Sequence, residues 1–205
     1  MHSDDKMVPV QAHGIGAMSM GLLMDSQSAA IWRGPMVMSA LNTFINRVHW
    51  GPLDVLVIDM PPGTGDAQIS ISQRLALSGA VIVTTPQELA LMDARRGITM
   101  FRKVNVPILG IVENMSSFIC GCCGSESFIF GKGGADAEAV RTRTNVLGHV
   151  PLHIDIRTTS DEGEPIVVSK PESLAAQEYM NIARKVWNGL KNQLSTNALP
   201  EIHVT

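Results

Sequence analysis

The chain has 205 residues, of which 45% are apolar and 17% charged, enough for one ordinary α/β domain with a packed core and too apolar for general disorder. A net charge of −3 and 4% aromatics supply neither the field nor the stacking platform that nucleic acid or an anionic membrane surface would need. No apolar run reaches the ~18–20 residues of a membrane span, so membrane insertion is not expected.

The first thirteen residues carry Asp4 and Asp5 and no arginine, and they do not read as a leader peptide. Residues 14–20 suit a short edge strand, and residues 36–48 a helix. Residues 55–60 form an apolar, β-branched run that predicts a buried strand. Helix 66–77, strand 80–85 and helix 88–103 follow, then strand 108–112, helix 135–143, a weaker strand 146–151 and helix 173–190. No strand alternates cleanly between polar and apolar, so both faces of the sheet should be covered. Helix alternating with strand predicts a doubly wound α/β fold with a mostly parallel sheet. One domain over residues 1–190 is expected, with a polar tail at 191–205.

Chemistry concentrates at two places. The first is Asp59-Met60-Pro61-Pro62-Gly63-Thr64-Gly65-Asp66, which ends the predicted strand in a carboxylate and then turns. In open α/β sheets ligands gather beyond the carboxyl ends of strands. A carboxylate there can hold Mg²⁺ directly or through water, and Gly63 and Gly65 let the backbone approach a phosphate. A plain strand-to-helix turn remains the bland alternative. No G-x-x-x-x-G-K-[ST] loop occurs in the sequence. Gly131-Lys132-Gly133-Gly134 resembles its opening but continues as Ala135-Asp136-Ala137, and it reads as a glycine-rich loop before a helix.

The second place is Cys120-Gly121-Cys122-Cys123-Gly124, which holds all three cysteines. Such a cluster cannot staple distant segments, which excludes a structural disulfide framework and favours a reducing compartment. The C-x-x-C spacing of Cys120 and Cys123 lets two thiolates converge on one metal or cluster. Two ligands are half of the four that a tetrahedral zinc or a cubane cluster takes, and a twofold dimer would complete the set at an exposed site that suits a carrier. Cys122 is a further candidate ligand or points away. A redox pair or three inert thiols also fit the spacing.

The segments Met18-Ser19-Met20-Gly21, Trp32-Arg33-Gly34-Pro35-Met36 and Trp50-Gly51-Pro52-Leu53-Asp54 lead into the carboxylate motif. Thr84-Thr85-Pro86-Gln87, Glu113-Asn114-Met115-Ser116, Cys120-x-x-Cys123 and Phe130-Gly131-Lys132-Gly133-Gly134-Ala135 follow, and then Pro151-Leu152, Ile156-Arg157 and Ser160-Asp161-Glu162-Gly163. This ordered set, over about residues 14 to 190, resembles the Mrp-type P-loop ATPases, iron–sulfur cluster carriers related to the ParA/MinD ATPases. Within them it looks most like the mitochondrial branch that assists assembly of respiratory complex I. The resemblance implies a mitochondrial matrix location, with the cytoplasm as alternative. It implies that Asp59 is the Walker B acid and that Gly63 lies near the γ-phosphate. It places Asn114, Pro151 and Leu152 around the adenine of ATP, with Mg²⁺ at the phosphates. It gives Cys120 and Cys123 a 4Fe-4S cluster shared across a homodimer, or across a heterodimer with a related chain, for delivery to recipient apoproteins. Two departures stand out. The family's strand and G-K-G-G-x-G-K-[ST] loop, with the helix after it, are not in this sequence, so little ATP hydrolysis is expected and two strand edges should lack a partner. Gly121 replaces the proline that many relatives carry after the first cysteine. A rival expectation is a nonenzymatic partner of full-length relatives; another is a ParA/MinD-like ATPase.

Overall fold

The computed structural model describes residues 6–23, 34–61 and 66–196. It divides into two compact units, residues 1–74 and 75–205.

In the first unit, β1 (Val10–Ala12) and β2 (Ile15–Ala17) form an antiparallel hairpin. Its turn uses His13 and Gly14, both at positive φ (50° and 80°), the twist that a two-residue hairpin favours. A 3-10 turn at Met20–Leu22 follows, with the Ser19 hydroxyl accepting the Gly21 N–H at 3.2 Å. Helices α1 (Gly34–Asn46) and α2 (Asp66–Arg74) pack on each other. Met7 bridges Val48, donating its N–H to Arg47 O and accepting from His49 N, each at 2.8 Å. The run at residues 55–60 is not a strand. It has no ladder partner among the described residues, and Val57 is 85% exposed. The strand expectation fails here because a strand exists only through its neighbour, and β-branched composition alone cannot supply one.

The second unit is an α/β layer structure built around one central strand. In chain order it contains β3 (Ala80–Thr84), α3 (Glu88–Lys103), β4 (Ile108–Ile119), β5 (Glu126–Ser127), α4 (Gly134–Thr142), β6 (Val146–Leu152), α5 (Ile154–Asp161), α6 (Ile166–Ser169) and α7 (Leu174–Thr196). β4 pairs in parallel with β3 on one side and β6 on the other, and its far end pairs antiparallel with β5. Ile111 is fully buried. Gly110 sits at φ 155°, where a Cβ would come within 2.7 Å of the Asn145 carbonyl, so the close approach of β6 to β4 needs a glycine.

Helix α3 buries Leu91, Ala94, Ile98 and Phe101 at helical spacing, with Glu88 in its first turn and Arg102 and Lys103 in its last, each matching the helix dipole. On the opposite face, Val112, Leu147 and Val150 pack against Tyr179, Ile182 and Val186 of α7. Val83 is in register with Val112 and therefore shares that second face, yet it is 62% exposed. The expectation that both faces are covered thus holds for β4 and fails for β3. Arg95 of α3 clamps Glu138 of α4 through a bidentate pair at 2.7 to 3.1 Å, which holds the guanidinium above its ordinary pKa. Helix α7 runs six residues past the expected end of the fold at 190.

Candidate functional site

The two candidate regions lie in different units. In the first unit, Asp59 is exposed and stands in a segment without regular secondary structure. Two residues later the Pro61 carbonyl accepts the Gln68 Nε2 donor at 2.9 Å, so α2 anchors the start of the loop. Gln68 is buried, and its own carbonyl accepts the Ser72 hydroxyl at 2.8 Å. Gly63, Trp32 and Arg33 lie outside the described residues.

In the second unit, β4 and β6 bring three of the expected nucleotide residues together. Asn114 is in register with Val150, which places Pro151 and Leu152 at the carboxyl end of the neighbouring strand. The Asn114 Oδ1 accepts the Met115 N–H at 2.9 Å, and Met115 takes a left-handed φ of 54°. An asparagine amide can both donate and accept. The strand does not end there. It runs without a break to Ile119, so one element carries Asn114 and leads into Cys120.

Behind Asn114 lies Glu113, a buried carboxylate that sequence reading passed over. Its Oε1 accepts the Ala135 N–H at the start of α4 at 2.8 Å, and its Oε2 meets His149 Nδ1 of β6 at 2.9 Å. The other ring nitrogen of His149 lies 3.5 Å from Asp136. One side chain therefore ties together the strand, the glycine-rich loop and the Pro151 edge. Gly133 caps α4 at φ 70°, which confirms the loop-before-helix reading of residues 131–134. A glutamate buried inside a strand must have partners, and the strand expected from the sequence ends at residue 112.

The cysteines occupy the turn between β4 and β5. The Cys120 N–H donates to the Ser125 carbonyl at 3.0 Å, and the Cys120 carbonyl accepts the Gly124 N–H at 2.9 Å. Gly124 closes the turn at φ 69°. Cys120 is half-buried, whereas Cys122 and Cys123 are exposed. Hydrogen bonds from the Ser125 side chain, the Ser125 backbone and the Cys120 side chain hold the Cys123 thiol below its usual pKa. The turn thus brings Cys120 and Cys123 side by side, as the spacing predicts. No cluster of three or more metal-binding side chains occurs among the described residues. No described helix is long and apolar enough to cross a membrane.

The ParA family profile described as NUBPL iron-transfer P-loop NTPase matches residues 1–187. The iron–sulfur protein required for NADH dehydrogenase, mitochondrial, of Arabidopsis thaliana is 55% identical over 204 residues, covering 100% of this chain and 65% of that protein. The iron–sulfur cluster transfer protein NUBPL of Mus musculus is 53% identical over 186 residues, covering 91% of this chain and 58% of its own length. The chain therefore spans less than two thirds of either relative. Among solved structures, a nucleotide-binding protein from Archaeoglobus fulgidus in complex with ADP superposes with a TM-score of 0.67 at 37% identity, covering 83% of this chain and 65% of that one. The cell division ATPase MinD of Pyrococcus furiosus shares the fold, with a TM-score of 0.55 at 22% identity over 76% of this chain and 59% of its own.

Proposed function

Since this chain belongs to the NUBPL iron-transfer P-loop NTPase family, we propose that it binds a 4Fe-4S cluster as cargo and passes it to recipient apoproteins, among them those that build NADH dehydrogenase in the mitochondrial matrix. The observation that carries this reading is the Cys120–Cys123 turn, where one half-buried and one exposed thiol stand together with half of a ligand set. A second copy related by a twofold axis, or a related chain, supplies the other half. The exposed position of the pair suits a carrier, which must let go, better than a permanent structural metal.

The sheet of the second unit is read as part of the sheet of a P-loop NTPase. Asp59 is the acid that would hold Mg²⁺, and its exposed carboxylate fits that role. Gly63 is assigned to the γ-phosphate loop by resemblance alone. Asn114, whose amide can donate and accept at once, and the Pro151–Leu152 edge of the neighbouring strand fit an adenine. A phosphate cradle of backbone amides and a lysine would supply the charge stabilisation that hydrolysis needs. The uncovered Val83 on β3 favours a second reading, in which the chain is a nonenzymatic partner that pairs with a full-length relative.

Anaerobic reconstitution with iron and sulfide tests the main reading. About four irons per dimer, with a visible charge-transfer band, are expected for the wild type, and none for Cys120→Ser/Cys123→Ser. A wild-type chain that takes up no iron, or takes it up equally without its cysteines, overturns the carrier assignment. Zinc in place of iron after anaerobic purification points instead to a structural bridge.

A further inference from the structure

Cys120 and Cys123 are chemically unequal within their turn. Cys120 is clamped through its backbone on both sides, by Ser125 and by Gly124, and it follows directly on Ile119, which is paired with Glu126 of β5. Cys123 stands exposed near the apex, and its Sγ lies 3.0 Å from the Ser125 Oγ. No hydroxyl contact of this kind reaches Cys120 or Cys122 among the described residues.

We propose that Ser125 is a positioning residue that makes Cys123 the ligand of the pair that releases the cluster first, while Cys120 is the anchor. The inference rests on the carrier reading above. When an acceptor thiol displaces Cys123, the iron–sulfur bond breaks with both bonding electrons remaining on the Cys123 sulfur. The acceptor sulfur supplies the electron pair for the new bond to iron, and its proton passes to solvent. No electron is transferred between redox centres. Negative charge grows on the Cys123 sulfur as the bond lengthens, and the Ser125 hydroxyl donates to that sulfur while keeping its own proton. A hydrogen bond to a developing anion strengthens as charge accumulates, so it favours departure more than it favours the bound state. Cys120 lacks this donor, and its clamped backbone keeps its sulfur in place for recapture.

Two variants and two readouts separate the outcomes. In the cluster-free chain, limited alkylation with iodoacetamide under reducing, anaerobic conditions is followed by mass spectrometry of the cysteine peptide. Cys123 should be modified ahead of Cys120, the lead should shrink in Ser125→Ala, and Ser125→Thr should restore it. In the reconstituted chain, transfer to a synthetic four-cysteine acceptor peptide should slow about three- to tenfold in Ser125→Ala with iron per dimer unchanged, and recover in Ser125→Thr. A purely structural role for Ser125 would lower the iron content and would not be rescued by this pattern. Modification of Cys120 first, a lead untouched by Ser125→Ala, or an unchanged transfer rate at equal loading overturns the proposal. If the wild type takes up no cluster, the carrier reading falls by itself, and the alkylation race alone decides whether Ser125 distinguishes the two thiols.

Discussion

The segment Val55–Ile58 and strand β3 are built from nearly the same residues, Val-Leu-Val-Ile and Ala-Val-Ile-Val-Thr, and they meet opposite fates. The first forms no strand, with Val55, Leu56 and Val57 exposed; the second pairs in parallel with β4, with one irregularity after Ala80. A buried ladder on one flank is the whole difference. Apolar, β-branched composition makes a segment ready for a sheet, and the neighbouring strand makes it one. β3 itself shows the half-way case, with Ile82 covered and Val83 open on the other face.

Substitutions in the two regions sharpen this contrast. Ile111→Ala removes a fully buried side chain from the central strand and should cost about 3–4 kcal/mol by denaturant unfolding, whereas Val57→Ala should change stability by less than about 0.5 kcal/mol. Equal losses would mean that residues 55–58 are packed in solution, and the contrast would break. The two carboxylates offer the next test. Glu113→Gln keeps the shape but weakens the bonds to Ala135 N–H and His149, and it should cost about 2 kcal/mol. Asp59→Asn should leave stability unchanged, since that carboxylate is exposed. The smallest effect concerns acid. Asp155 is held below its ordinary pKa of 3.8, chiefly by its hydrogen bond to Lys170 at 2.7 Å. A depressed carboxylate contributes stability above its unfolded value and loses it as pH falls through the lower folded one. Lys170→Ala should therefore cost slightly at neutral pH and nothing once the carboxyl is protonated in both states; a penalty that persists there would assign the contact to packing.

Much of the second unit was legible in the residues. Helix α3 runs over the predicted span because its apolar period, its acidic start and its basic end agree. The paired thiols followed from spacing. Other features depended on contacts that no local pattern reports. β4 continues to Ile119 through Asn114-Met115-Ser116-Ser117, a polar stretch whose left-handed Met115 reads as an ending. Helix α5 was missed because Ile-Asp-Ile-Arg-Thr-Thr-Ser-Asp buries only Thr159, and its cap is a histidine, whose Nδ1 accepts the Asp155 N–H at 3.2 Å. Residues 55–58 misled for the opposite reason, since their local pattern was strong and no described segment pairs with them. The Ser125 contact to Cys123 depends on how the turn closes, which Gly124 decides through its φ.

The open flank of β3 also governs how the molecule behaves in a crowd. Strand edges and bare valines are templates for other chains, and a net charge of only −3 gives copies little mutual repulsion. Colloidal behaviour should then depend on concentration and on salt, with high salt screening the weak repulsion and promoting lateral stacking. A single lysine at position 83 would act as a gatekeeper, keeping the protein in solution without touching either the cysteine turn or the Asn114 edge.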